Sequence, residues 1–326
     1  MDLNSPRWPA HRSGSFSEAW YVVASDASAG TGLWLRATCD VSREGAQQFA
    51  LWGSWFERDR SFAIKSVTDA AAIRRTIDAL EKGECAGEVQ GGGHSLRWRL
   101  QIGQGAPAED FVPGWLHALA TARGTHLALP HPACTLTGAV EVDGRTIELT
   151  RVPAGQAHQW QRRKLPGWAW ARCSAFAEDA GASIDLLDAV GPAGVRVPLI
   201  NFRFHGRLHR FGDLPWIALT RSRPGSPAWH FEAHDSTVAI DGVVHAQPSQ
   251  MVQVQYPARD GSLLHCCNTE IASMEVKVRT RAWAGARFRP EATLTSKSGA
   301  CLEFCGRDMD ARVTTLLAVS TSPVAS

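Results

Sequence analysis

The densest concentration of chemistry-bearing residues is Gly155–Phe176, GQAHQWQRRKLPGWAWARCSAF. It carries His158, three tryptophans (Trp160, Trp168, Trp170) and the basic run Arg162, Arg163, Lys164. In an extended strand alternate side chains share a face, so His158 goes with Trp160 and Trp168 with Trp170. A histidine beside indole faces is a polar device for an apolar pocket. Equally, indoles that fill a core leave the histidine to satisfy a backbone carbonyl. Downstream, ASIDLLDAV holds Asp185 and Asp188, whose odd spacing sends them to opposite faces of a strand, so only one can line a given cavity. Two solvated carboxylates beside a turn are the competing reading. Glu270, in Asn268-Thr269-Glu270, and Glu303, in CLEFC, are further acids in apolar surroundings. Each reads as the structural partner of an arginine such as Arg203 or Arg279.

Other chemistries fit less well. His205 and His209, and His230 and His234, are four apart. In strands that spacing separates two rings by roughly 13 Å, too far to share one ion, so no metal is expected. No serine lies in a G-x-S-x-G elbow, and Cys266-Cys267 beside His265 is adjacent only along the chain. The eight cysteines sit singly in apolar stretches without a CxxC pair, which reads as reduced, buried thiols; Cys301 and Cys305 share a strand face as small core residues.

The elements that must position these groups read as strands. Period-two runs recur every 8–12 residues, as in Ala19–Ser25, Gly32–Asp40, Gln47–Phe56, Ser183–Val190 and Cys301–Cys305. Asp143-Gly144 is the strongest hairpin signal, and Asp241-Gly242 reads as a second. Two helical segments interrupt the pattern. Thr68–Lys82 presents Ile73, Ile77 and Leu80 on one face ahead of Gly83, and Pro113–Arg123 presents Trp115, Leu116 and Leu119. No nucleotide-binding glycine loop follows any strand. The predicted class is all-β, with too many strands for one sandwich. A boundary near Gly191-Pro192-Ala193-Gly194 divides the chain into units 1–190 and 191–326.

Composition agrees. The chain has 326 residues, 44% hydrophobic and 20% charged, so it can bury a core. A net charge of +2 with both signs scattered gives no case for nucleic acid. No run approaches the ~20 apolar residues of a membrane span, and the N-terminus lacks a secretory pattern, so a cytoplasmic location is expected. Thirteen tryptophans against two tyrosines suit the lining of a large apolar cavity.

The order GAVEVDGRTIEL, a loop with His-x-Trp, then Trp-x-Trp and an apolar strand resembles the carotenoid 1,2-hydratase, tocopherol cyclase and AttH-like group. The preceding HLALPHPACTLTGAVEVDG, the opening AWYVVASDASAGTGLWLRATCD with its Trp20-Tyr21, and the late HCCNTEIASMEV and CLEFCGRDMDARV are similar to the same group. The resemblance covers nearly the whole chain. It implies two lipocalin-like β-barrels in tandem around an apolar cavity, no cofactor, and an isoprenoid or polyene ligand. In the group's hydratases and cyclases an acid protonates a carbon–carbon double bond, and water or an internal hydroxyl captures the tertiary cation. Such an acid must be desolvated to stay protonated, the cation needs π-faces, and bulk water must be excluded. His158 and Trp160 match the group's His-x-Trp. Asp185 falls where hydratases place a Tyr-x-Asp acid, although this chain has no tyrosine there and the alignment admits Asp188.

The resemblance therefore casts Asp185 (or Asp188) as proton donor and His158 as orienting or relaying group. Trp20, Tyr21, Trp160, Trp168 and Trp170 shape the cavity, and Arg162, Arg163 and Lys164 either steer an anionic head group to its mouth or form a solvated surface. Three functions fit: a cofactor-free cyclase, hydratase or isomerase; a pericyclase that needs no acid; and a lipocalin-type carrier of a hydrophobic metabolite. The expected partner is a hydrophobic small molecule, with transient contact to a membrane surface compatible with so apolar a ligand. Oligomeric state is not legible.

Overall fold

A computed structural model of the chain describes residues 3–8, 15–116, 125–162, 164–191, 194–257 and 262–320. Part of the expected helix Pro113–Arg123 and all of Arg163 lie outside them. Strands β1 (Phe16–Asp26), β2 (Thr31–Val41), β3 (Gln47–Glu57) and β4 (Arg60–Thr68) form an antiparallel meander. Helix α1 (Ala70–Glu81) follows, then β5 (Glu84–Gly91), β6 (His94–Ile102), the short β7 (Glu109–Asp110), β8 (Thr125–Val142) and β9 (Arg145–Gln161). The later strands are β10 (Trp168–Cys173), β11 (Ser183–Val190), β12 (Arg196–Phe204), β13 (Arg207–Arg210), β14 (Arg221–Arg223), β15 (Ala228–His234) and β16 (Val238–His245). They continue with β17 (Val252–Pro257), β18 (Leu263–Thr280), β19 (Arg289–Gly306), β20 (Thr315–Leu316) and β21 (Ala318–Ser320).

The strands form two strongly curved sheets with the same connectivity. The first runs β4-β3-β2-β1-β9-β8-β6-β5 and the second β13-β12-β11-β10-β19-β18-β16-β15, each with a short extra strand, β7 or β17, on its long hairpin. The chain passes from one to the other between Gln161 and Trp168. The Gly191–Gly194 run, expected to separate units 1–190 and 191–326, lies instead within the β11–β12 connection of the second sheet. There β10 and β11 hydrogen-bond to β19 and β12, so residues 168–190 cannot belong to the first sheet. β21 returns to the first sheet and pairs in parallel with β4.

Local chemistry explains most elements. Asp69, one residue after the expected Thr68, caps α1 by accepting a hydrogen bond from Ala72 N (2.7 Å), and Ile73, Ile77 and Leu80 bury against the first sheet. Asp143 and Gly144, both at positive φ (49° and 78°), make the tight turn of the β8–β9 hairpin. Asp241-Gly242 is not a turn. Strand β16 runs straight through it, because a Cβ at Gly242 would lie 2.4 Å from the Phe231 ring, which covers the strand there. Several expected short strands fuse into β8, β18 and β19, which absorb their irregular positions as register shifts, in β8 between Ala128 and His131 beside Pro130. No helix among the described residues is long and apolar enough to cross a membrane.

Each sheet wraps a filled core, the first around Trp20, Trp55 and Trp98, the second around Phe202, Trp229 and Phe231. Their outer faces are also buried, against each other. A third apolar cluster joins Val23, Trp34 and Trp52 of the first sheet to Trp170, Val254 and Tyr256 of the second. The sheets approach closely at Gly32, where a Cβ would lie 2.5 Å from Glu270 Cβ. Gly32→Val should therefore push the sheets apart and cost about 1–3 kcal/mol in urea unfolding. Gly114→Ala, which meets nothing within 4 Å, should leave the midpoint unchanged.

Candidate functional site

Strand parity decides which residues meet between the sheets. In β10 the small Ala169, Ala171 and Cys173 point into the second core, so Trp168, Trp170 and Arg172 face the first sheet. Cross-strand register adds Leu187 and Glu303 beside Trp170, Cys305 beside Trp168, and Asp185 and Cys301 beside Arg172. Opposite them, β1 and β2 contribute Tyr21, Trp34 and Arg36, and β17 contributes Tyr256. Tyr21, Trp34, Arg36, Trp168, Trp170, Leu187, Tyr256 and Glu303, with Val112, Leu127 and Gln159, enclose a cleft of about 80 Å³. Both tyrosines of the chain line it, although they lie far apart in sequence.

Glu303 is the acid of this cleft. The indole N–H of Trp168 donates to its Oε1. Burial raises its pKa, opposed by the Trp168 hydrogen bond and the charge of Arg36, so the protonated form is favoured relative to a solvated glutamate. Arg36 donates to the Tyr256 hydroxyl (2.5 Å) and lies over the rings of Trp34, Trp52 and Tyr256, 5.1–5.7 Å from their centroids. Burial also raises the pKa of Tyr21 and of Tyr256, which keeps both phenols neutral. The cleft thus presents a desolvated carboxyl, phenol hydroxyls and indole faces.

The other expected site residues do not assemble around it. His158 and Trp160 lie on the opposite face of β9 and belong to the first core. The His158 ring stacks on Trp20 (4.5 Å), its Nδ1 contacts Leu3 O (2.6 Å), and its Nε2 contacts Glu18 Oε1 (2.8 Å) with both side chains fully buried. Glu18 also accepts from the backbone N–H groups of Arg7 and Trp8, so the pair anchors residues 3–8. Asp188 follows the parity of Ile184 and Leu186 into the second unit and pairs with Arg196 (2.6 Å). Trp20 and Tyr21, adjacent in β1, separate into core and cleft respectively. Trp168, Trp170 and Tyr21 are therefore the expected residues that the cleft gathers.

Asp185 lies between the sheets beside the Arg172 guanidinium (3.7 Å), away from the cleft wall. Arg172 donates across to the carbonyls of Pro132 and Ala154, and occupies the space a side chain at Gly155 would need. Burial pushes the Asp185 carboxyl up to about 6, against the pull of Arg172. Glu270 is buried opposite Gly32, and burial raises its pKa well above the usual range; one of its oxygens, Oε2, has no hydrogen-bond partner among the described residues. Neither Glu270 nor Glu303 takes Arg203, which pairs with Glu109 (2.8 Å). Among the histidine pairs, His209 holds Asp235 (2.7 Å).

Sequence reading undervalued Glu303 and passed over Arg36 and Tyr256. The available signal was the acid flanked at i±2 by Cys301 and Cys305, an ionisable group on an otherwise apolar strand face.

Two closed-up antiparallel sheets of lipocalin-like type, with an apolar cleft holding a carboxyl between them, define the class of protein. The sequence profile of the tocopherol cyclase-like family matches residues 102–306, and the chain belongs to that family. Two Mycobacterium tuberculosis proteins, the uncharacterized proteins MT0513 (strain CDC 1551) and Rv0493c (strain H37Rv), are each 24% identical to it over 294 residues, covering 86% of this chain and 85% of theirs. The crystal structure of a putative AttH (NE1406) from Nitrosomonas europaea superposes with a TM-score of 0.53 at 11% identity, covering 91% of this chain and 94% of that one, a likeness of fold. Family and fold fit a cyclase- or isomerase-type function.

Because the Asp185 pKa is raised in the fold, the folded state holds that proton more tightly than the unfolded chain. Stability from this group is full below about pH 4 and is lost as pH rises to about 6. Asp185→Asn should flatten the pH dependence of the urea midpoint across that window by up to about 1.4 kcal/mol per pH unit. At pH 7, where the wild type carries the disfavoured carboxylate, the variant should be no less stable than the wild type.

Proposed function

We propose that this protein is a cofactor-free cyclase or isomerase that protonates a carbon–carbon double bond of a hydrophobic substrate in the cleft between its two sheets, with Glu303 as the acid. The observation that supports this reading is a buried carboxyl held by Trp168 among Tyr21, Trp34 and Trp170. The Glu303 proton adds to one alkene carbon and the π-electrons form the new C–H bond, leaving a tertiary cation on the other. The indole faces of Trp34, Trp168 and Trp170 stabilise that cation, and Arg36 stabilises the carboxylate left behind. A hydroxyl within the substrate closes on the cation, forming a C–O bond, and its proton returns to Glu303. The product is an isomer of the substrate, and the acid is regenerated. Water entering instead would give the hydrated product, so exclusion of bulk solvent favours cyclisation.

The dimensions narrow the substrate. A cleft of about 80 Å³ is smaller than the ~150 Å³ that accepts a benzene ring, so it takes the reactive terminus of a chain and not a whole polyene. A long isoprenoid inside either sheet does not fit this arrangement, because both interiors are packed with side chains.

The test is incubation with prenylated phenols and prenyl alcohols in heavy water, followed by mass spectrometry. An isomeric product with carbon-bound deuterium is expected, with turnover reduced about 100- to 10,000-fold in Glu303→Gln. Turnover should fall as pH rises through the raised Glu303 pKa, since only the protonated acid donates. An isomer formed without deuterium would instead make the protein a pericyclase, and a ligand recovered unchanged would make it a carrier.

A further inference from the structure

Beside the cleft lies a wider hollow of about 480 Å³, within the range of small-molecule sites, and Tyr256 is a wall of both. Its ionisable lining is mostly basic: Lys65, Lys164, Arg43 and Arg162 against one carboxylate, Asp40. The two lysines are drawn inward over aromatic faces. Lys65 Nζ lies 4.6 Å from the Trp52 ring centroid, and Lys164 Nζ lies 5.6 Å from that of Tyr256. Lys164 is 3.6 Å from Asp40, whereas Lys65 has no hydrogen bond or ion pair among the described residues. Burial lowers the pKa of both ammonium groups, and the charge of nearby Arg36 adds to that effect. Three cations, Arg36, Lys65 and Lys164, thus crowd a partly desolvated wall with Asp40 and the cleft acid Glu303 as the nearby carboxyls.

Register ties this hollow to the cleft. Tyr21 pairs with Arg36, Arg36 with Trp52, and Trp52 with Lys65, one residue from each of β1 to β4 in a single cross-strand row. Three interstrand steps span roughly 14 Å, so one elongated molecule can touch Tyr21 in the cleft and Lys65 in the hollow together.

We propose that the hollow is the head-group subsite of the substrate, which is an amphiphile: an anionic oxygen group, phosphate or diphosphate, sits on Lys65 and Lys164 while its apolar end enters the cleft. This rests on the cleft being the reaction site. Lys65 supplies positive charge with no ion pair among the described residues in a low-dielectric setting, where an anion gains more than at an exposed lysine. Asp40 repels such a group on one side and thereby directs it toward Lys65.

Calorimetric titration of the full chain with geranyl monophosphate, geranyl diphosphate, geraniol and inorganic phosphate tests this. Both prenyl phosphates should bind at least tenfold more tightly than geraniol and than inorganic phosphate, with affinity falling as salt is raised. Lys65→Gln and Lys164→Gln should each lose most of that advantage, and Lys65→Arg should keep it. Glu303→Gln should bind both prenyl phosphates as the wild type does. Equal affinity for geraniol, indifference to the lysine substitutions, or inorganic phosphate binding as tightly as the prenyl phosphates would each overturn the head-group assignment. Wild-type protein that binds with these affinities but incorporates no deuterium, or a Glu303→Gln variant that still does, would count against Glu303 as the acid alone, so the two ideas fail separately.

Discussion

The structure depends on two curved sheets burying their outer faces against each other. A sheet that wraps a core and also meets a neighbour has no solvent side, and every ionisable group on the shared face is held out of water. Arg36, Arg172, Asp185, Glu270 and Glu303 are all in that position. Burying such charges is unfavourable unless each finds a partner or gives up its charge. The two arginines are matched across the boundary in opposite directions: Arg36 of the first sheet donates to Tyr256 of the second, and Arg172 of the second donates to carbonyls of the first. Burial shifts the carboxyls toward their protonated forms.

The proposed reaction site therefore lies outside both cores. The first interior is occupied by Trp20, His158 and the anchored residues 3–8, and the second by phenylalanines and Trp229. What remains is the seam, where the aromatic side chains of β10 point away from their own core. The seam brings one acid, two phenols and three indoles of the cleft together from both halves of the chain, so neither half carries the site by itself.

The alternation of strands, helix α1 and the Asp143-Gly144 turn were legible because each rests on neighbours in sequence. The repeated connectivity was not, since equal strand order needs no equal sequence. The site was half legible. Trp168, Trp170 and Tyr21 were marked by their type, but period-two patterning tells which residues share a face and not which way the face points. In β3, QQFALWGSWFE, eight consecutive residues are buried, and the pattern loses its polar side altogether. For the same reason both readings of His158 stayed open in sequence: it does share a face with Trp160, and that face belongs to the first core, where the ring meets the Leu3 carbonyl. Asp241-Gly242 failed because a glycine roofed by Phe231 looks, in sequence, like a glycine in a turn.

The central claim is that the seam raises the pKa of the Glu303 carboxyl above that of a solvated glutamate. Infrared difference spectroscopy of the wild type against Glu303→Gln, with carboxyl-labelled glutamate, reads this directly. A protonated-carboxyl band that is lost in the variant, shifts in heavy water and titrates at higher pH than that of a free glutamate is the expected result. A band that titrates at or below the pH of a free glutamate would contradict the account.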